Sequence, residues 1–113
     1  MLNLYKNLKN SLAGIKVACS DASFRAQLVL GFVSIPLVVF SEVAMIGKLA
    51  AIGTYLLLVA TELVNTALEK LCDRITTERD QAIKEVKDMA SAAVFVVLIL
   101  YLTQLVWMLM PNP

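Results

Sequence analysis

Histidine is absent from the 113 residues, so neither catalysis nor metal binding can run through an imidazole. Only two cysteines occur, Cys19 and Cys72, and their separation matches no zinc or dithiol motif. They are expected to be small buried apolar residues. Four glycines leave no room for a glycine-rich phosphate loop, and neither a Walker A sequence nor the motifs of soluble protein kinases are present. Charge is scarce too. Charged residues make up 17% and apolar ones 59%, with a mean hydropathy of +0.77. A soluble domain of this size leaves about a third of its surface in water and needs polar residues to cover it. The excess apolar surface fits a bilayer instead. The net charge of +1 selects no class of partner.

Three uncharged runs are present. They cover residues 26–41, residues 49–61 with a continuation past Glu62 to residue 68, and residues 89–110. About 20 residues at 1.5 Å each cross the hydrocarbon. The third run meets that length outright, the second does so if Glu62 lies inside it, and the first is short and holds Pro36. Membrane helices tolerate proline better than soluble ones. Residues 41–48 read as a turn and residues 72–84 as a second loop with helical ends. Asp80 is placed to cap a helix starting near Gln81, and Pro111-Asn112-Pro113 to end it.

Before these runs, Leu4, Leu8, Leu12, Ile15 and Cys19 recur at intervals of three and four, with Lys6, Lys9 and Lys16 mostly elsewhere on the wheel. This is the pattern of an amphipathic helix lying in the membrane interface. The spread of Lys6, Lys9, Lys16 and Arg25 is not the layout of a secretory signal. The sequence therefore predicts an all-α integral membrane protein in one domain, 1–113. It consists of an interfacial helix over about 4–20 and a bundle of three spans over about 26–42, 48–70 and 87–110. Nine of the ten basic residues then fall on one side, with only Lys48 opposite, which orients the N-terminus to the cytoplasm and the C-terminus outside.

Glu62, Asn65, Glu69 and Asp73 are spaced by three, four and four, which places them on one helical face, with Thr66 beside them. Ionisable groups inside a span are expensive and usually face protein or a polar cavity. Lys84, Lys87, Asp88 and Ser91 form a second group, and Asp21, Arg25 and Gln27 a third, all at the same membrane side. Carboxylates bind Mg²⁺ together with phosphate oxygens. Cations neutralise phosphate, and a carboxylate set deeper in the helix can take a proton from an alcohol. The inventory fits metal-assisted phosphoryl transfer to a lipid hydroxyl. The same residues also suit polar groups that only join helices, or a small transporter with acidic groups along an ion path, and their spacing alone does not choose among the three.

The block Glu62-Leu-Val-Asn65-Thr-Ala-Leu-Glu69, followed by Cys72-Asp73-Arg74-Ile75, resembles the signature of the prokaryotic diacylglycerol kinase family. So does Lys87-Asp88-Met89-Ala90-Ser91-Ala92-Ala93-Val94, and the resemblance in layout extends over nearly the whole chain. It implies an inner-membrane enzyme that phosphorylates diacylglycerol to phosphatidic acid with ATP and Mg²⁺. It also implies a homotrimer whose active sites are shared between neighbours. A sister group phosphorylates undecaprenol, but its second block tends to contain glycine, unlike KDMASAAV here. By resemblance, Glu62 is the general base and Asn65 orients the site. Glu69 and Asp21 hold the metal, and Asp73, Thr77, Glu78, Asp80, Lys87 and Asp88 lie along the nucleotide. Phe24 and Arg25 belong to the substrate side. Asp21 stands where the family has a glutamate, and Gln27 where it has a second one.

Overall fold

The computed structural model describes residues 2–110, so the expected stop at Pro111-Asn112-Pro113 lies outside the described residues. Among the described residues the regular structure is four α-helices: α1 (Leu2–Ala18), α2 (Ala22–Val39), α3 (Met45–Ile75) and α4 (Gln81–Leu109). The last three are long and apolar enough to cross a membrane.

Local chemistry sets the starts of α2 and α4. Asp21 caps α2, its Oδ1 accepting from the backbone N–H groups of Ser23 (2.9 Å) and Phe24 (3.2 Å). Asp80 caps α4 in the same way, accepting from the Ile83 N–H at 3.1 Å. Helix α2 runs through Pro36 for only one more turn and ends at Val39. A proline near a helix end removes one hydrogen bond where few remain to be lost. At that end Lys48 Nζ donates to the Val39 carbonyl at 2.8 Å, so the one basic residue at this surface serves a helix C-terminus.

Helix α3 outruns the expected 48–70 at both ends, and the expected loop over 72–84 contracts to residues 76–80. Neither glycine nor proline interrupts residues 68–75, so backbone hydrogen bonding continues past the apolar run. At 1.5 Å per residue α3 is about 46 Å long, more than the roughly 30 Å of hydrocarbon. Its polar C-terminal turns therefore lie beyond the apolar layer or at its boundary.

Helix α3 is central and touches α1, α2 and α4. The buried cluster is Val38 of α2, Ala51, Tyr55 and Leu58 of α3, and Val94 and Tyr101 of α4. Outward faces are as apolar as the inside: Phe32 is 84% and Trp107 67% exposed. A bilayer solvates apolar side chains as well as a core does, so apolar burial cannot by itself select the helix pairing. Polar ties supply that selection. The Ser34 hydroxyl lies 2.6 Å from the Tyr101 hydroxyl, joining α2 to α4. The Tyr55 hydroxyl donates to the Gln27 carbonyl at 2.8 Å, joining α3 to α2. The Tyr55 and Tyr101 rings pack with centroids 5.4 Å apart.

The Tyr55 ring reaches that carbonyl because Gly31 has no side chain. A Cβ at Gly31 would overlap the phenol. Gly31→Ala is expected to lower the thermal midpoint in detergent, with a cost of about 1–3 kcal/mol from overpacking. In a Tyr55→Ala background the same change should cost almost nothing, since the clash is then absent. Equal losses in both backgrounds would show that the close approach is not the cause.

Helix α1 touches α3 and buries Ala18, while Leu4, Leu8 and Leu12 remain 57–70% exposed. Its leucine stripe is therefore not used in the chain's own core.

Candidate functional site

The polar stripe of α3 grades from buried to exposed. Glu62 is 1%, Thr66 3% and Asn65 6% exposed. Glu69 is half-buried and Asp73 is open to solvent. Glu62 Oε1, Asn65 Oδ1 and Thr66 Oγ1 are buried without a hydrogen-bond partner among the described residues. Folded proteins pair nearly all such atoms, because each orphan costs about 1–3 kcal/mol. Three within two turns on one face mark a place where bonding capacity is kept for something else.

The amide of Asn65 is directed along the stripe: its Nδ2 donates to Glu69 Oε1 at 3.4 Å, one turn on. Asp73 then meets the next helix. Lys87 Nζ sits 2.6 Å from Asp73 Oδ1 and bridges α3 to α4. Lys84 pairs with Asp88 at 2.7 Å on the exposed side of α4. Both pairs are open to solvent and contribute at most about 1 kcal/mol each to stability. They hold two ammonium groups on the first two turns of α4, at the polar end of α3. Between the helices, Thr77, Glu78 and Asp80 are partly or fully exposed, and the Thr76 hydroxyl accepts from the Glu78 N–H at 3.0 Å, shaping the turn.

The N-terminal residues also have structural contacts. Asp21 Oδ1 is occupied as the cap of α2. Phe24 is 1% exposed and acts in packing within the chain. One nitrogen of Arg25 donates to the Cys19 carbonyl at 3.0 Å and closes the α1–α2 turn, leaving the other guanidinium N–H groups unassigned. Among the described residues, no three acidic or cysteine side chains form a cluster able to hold a metal ion. Mg²⁺ is usually held by only one or two carboxylates plus phosphate oxygens and water, so the half-buried Glu69 beside the unpartnered Asn65 carbonyl suits that kind of donor set.

A profile of the prokaryotic diacylglycerol kinase family matches residues 9–110. The chain belongs to that family. Among its relatives, a diacylglycerol kinase of Haemophilus influenzae is 37% identical over 99 residues, covering 87% of this chain and 84% of the relative. One of Pseudomonas aeruginosa is 39% identical over 89 residues, 78% of this chain and 72% of the relative. One of Escherichia coli K12 is 30% identical over 90 residues, 79% and 74% respectively. With its three apolar helices, this family member is a bacterial membrane protein. A kinase moves a phosphoryl group from a nucleotide, chemistry that calls for a divalent metal to neutralise phosphate charge.

Sequence reasoning overlooked two features of this family member. The capping role of Asp21 was legible, since the rule that places Asp80 at the start of α4 applies equally to Asp21 before α2. The Ser34–Tyr101 and Tyr55–Gln27 ties carried no sequence signal, because they join residues 67 and 28 positions apart across helices.

Proposed function

We propose that the protein transfers the γ-phosphoryl group of ATP to the free hydroxyl of diacylglycerol, giving phosphatidic acid and ADP, at the cytoplasmic face of the bacterial inner membrane. The observation that carries this is the buried, unpartnered row Glu62, Asn65 and Thr66. It lies within the family-matched segment and leads to Glu69 and Asp73 at the polar end of α3, where Lys87 of α4 joins Asp73.

In this proposal Glu62 accepts the proton of the lipid hydroxyl as its oxygen bonds to the γ-phosphorus. The bond from that phosphorus to the bridging oxygen breaks, and ADP leaves. Asn65, bonded to Glu69, holds the stripe in register. Glu69 and Asp21 would hold Mg²⁺, which when bound screens the charge of the terminal phosphates. Asp21 would do so while also capping α2, which a carboxylate with two oxygens allows. Lys87 and Asp88, with Asp73, Thr77, Glu78 and Asp80 around the α3–α4 turn, form the nucleotide side. Lys87 exchanges its contact with Asp73 for phosphate oxygens. Phe24 fixes the start of α2, and Arg25 offers its remaining N–H groups on the substrate side. Assembly as a homotrimer with shared sites is part of the proposal and rests on the family resemblance. The cytoplasmic N-terminus and periplasmic C-terminus rest on the nine basic residues at one end.

The test is lipid-dependent ATP consumption by the purified chain in bicelles with Mg²⁺, diacylglycerol and undecaprenol being supplied in parallel. Turnover with diacylglycerol is expected. Turnover with undecaprenol alone would move the protein to the sister activity, and none with either lipid would overturn the proposal.

A further inference from the structure

Helices α2 and α3 carry two halves of the proposed transfer centre, Phe24 and Arg25 on one and Glu62 and Asn65 on the other. Their axial register decides how the halves meet. Helices in hydrocarbon have no hydrophobic drive to associate, so packing and polar contacts must set that register. Among the described residues, two side-chain hydrogen bonds join α2 to α3. Lys48 Nζ reaches the Val39 carbonyl at the exposed far end. The Tyr55 hydroxyl reaches the Gln27 carbonyl at 2.8 Å, closer to the polar stripe.

The second contact is keyed by shape as well. The phenol fills the space that a Cβ on Gly31 would take, and its ring packs on Tyr101. A slide of α2 by one turn, about 5.4 Å, would carry Gly31 away from the phenol and break the bond. Val39 meets Lys48 and Gly31 meets Tyr55, so the two helices run antiparallel. From the Gly31–Tyr55 notch, seven residues back along α2 lead to Phe24, and seven forward along α3 lead to Glu62. Both paths cover about 10.5 Å in the same direction. They end on two side chains that are each 1% exposed. The notch is thus a common origin for both halves of the centre.

Resting on the functional proposal, we infer that Tyr55 is a positioning residue for phosphoryl transfer. Seated in the Gly31 notch and bonded to the Gln27 carbonyl, it sets the register that holds the start of α2 level with Glu62. It acts through the two helices rather than on the reacting atoms. The nucleotide side lies on α4 and the α3–α4 turn, where Lys87 joins Asp73, and it owes nothing to this notch. A shift of α2 therefore disturbs the approach of the lipid hydroxyl to Glu62 and leaves nucleotide binding as it was.

The experiment compares the wild type, Tyr55→Phe and Tyr101→Phe in bicelles, reading kcat with diacylglycerol, KM for ATP and the thermal midpoint. Phenylalanine at 55 keeps the ring in the notch and removes only the hydroxyl. The Gln27 carbonyl keeps its helical partner, the Gly31 N–H, so no bare acceptor is left. Tyr101→Phe is the matched control, because it breaks the Ser34 tie, which joins α2 to α4 and not to α3. Ser34 then turns to the carbonyl four residues back. Tyr55→Phe is expected to lower kcat about tenfold, within what misplacing reacting groups by less than 1 Å costs. Its KM for ATP should stay within about twofold. Tyr101→Phe should lower the thermal midpoint by a similar amount and leave both constants within about twofold. Gly31→Ala, which crowds the phenol out of the notch, should reproduce the kcat loss without a change in KM for ATP. A kcat within about twofold of wild type in Tyr55→Phe would overturn the inference while leaving the kinase proposal standing. So would equal kcat losses in Tyr55→Phe and Tyr101→Phe, which would mark a general loosening of the bundle, or a KM for ATP that rises as far as kcat falls. Lack of turnover in the wild type would remove the kinase proposal and this inference together.

Discussion

Glu62→Gln is expected to reduce lipid-dependent ATP consumption by about 10²–10⁴-fold, the range set by losing a general base. Glutamine keeps the size of glutamate and its ability to hydrogen-bond, but it cannot accept the proton of the lipid hydroxyl. The geometry makes the result discriminating. Glu62 is 1% exposed, and its Oε1 has no partner, so as a structural residue it would be a poor choice. Replacing an unpaired buried carboxylate by a neutral amide should leave the thermal midpoint unchanged or raise it. The combination of lost turnover with retained stability therefore separates a catalytic carboxylate from one that merely joins helices. Activity within about threefold of wild type would remove Glu62 from the base role.

Glu69→Gln tests the metal end of the same face, two turns further along α3. The Asn65 amide donates to Glu69 Oε1 at 3.4 Å, and a glutamine oxygen can still accept that bond. The carboxylate charge is what the change removes. Turnover at a fixed, low Mg²⁺ concentration is expected to fall at least about 100-fold, since metal-borne charge stabilisation is worth several kcal/mol. The half-saturating Mg²⁺ concentration should rise, so that added metal restores part of the rate. Titrating Mg²⁺ against initial rate for both proteins reads this directly. If the loss were the same at every metal concentration, Glu69 would act on something other than the ion. Unlike Glu62→Gln, which should be indifferent to added metal, this variant should respond to it, so the two carboxylates can be told apart.

Much of the architecture was legible because the bilayer imposes simple rules. A chain with 17% charged residues and three long apolar runs has few folds open to it. A membrane requires each spanning backbone to satisfy its own hydrogen bonds, so each run becomes a helix. The polar stripe was legible for a related reason. Charge inside a span is so costly that Glu62, Asn65, Glu69 and Asp73 stood out by spacing alone. Helix ends were less so. Hydropathy marks where apolar residues stop, whereas the helix itself stops where caps and breakers act. Helix α3 therefore extends to Ile75, beyond the apolar run, and α2 starts at its Asp21 cap.

What the sequence determined by itself was the fold class, the polar face of α3 and the family motifs. These rest on one-dimensional patterns: run length, a repeat of three and four, and residue identity. Only the tertiary structure decided how that face divides. Spacing treats Glu62, Glu69 and Asp73 alike, yet packing leaves the first sealed and unpartnered, the second half-buried against Asn65, and the third tied to Lys87 at the surface. The same is true of Thr66, which differs from Thr61 only in what its helix face meets. Helix pairing also belonged to the structure. With apolar side chains inside and out, the choice rests on Ser34 meeting Tyr101 and on Tyr55 reaching past Gly31, contacts between distant residues that no local pattern encodes.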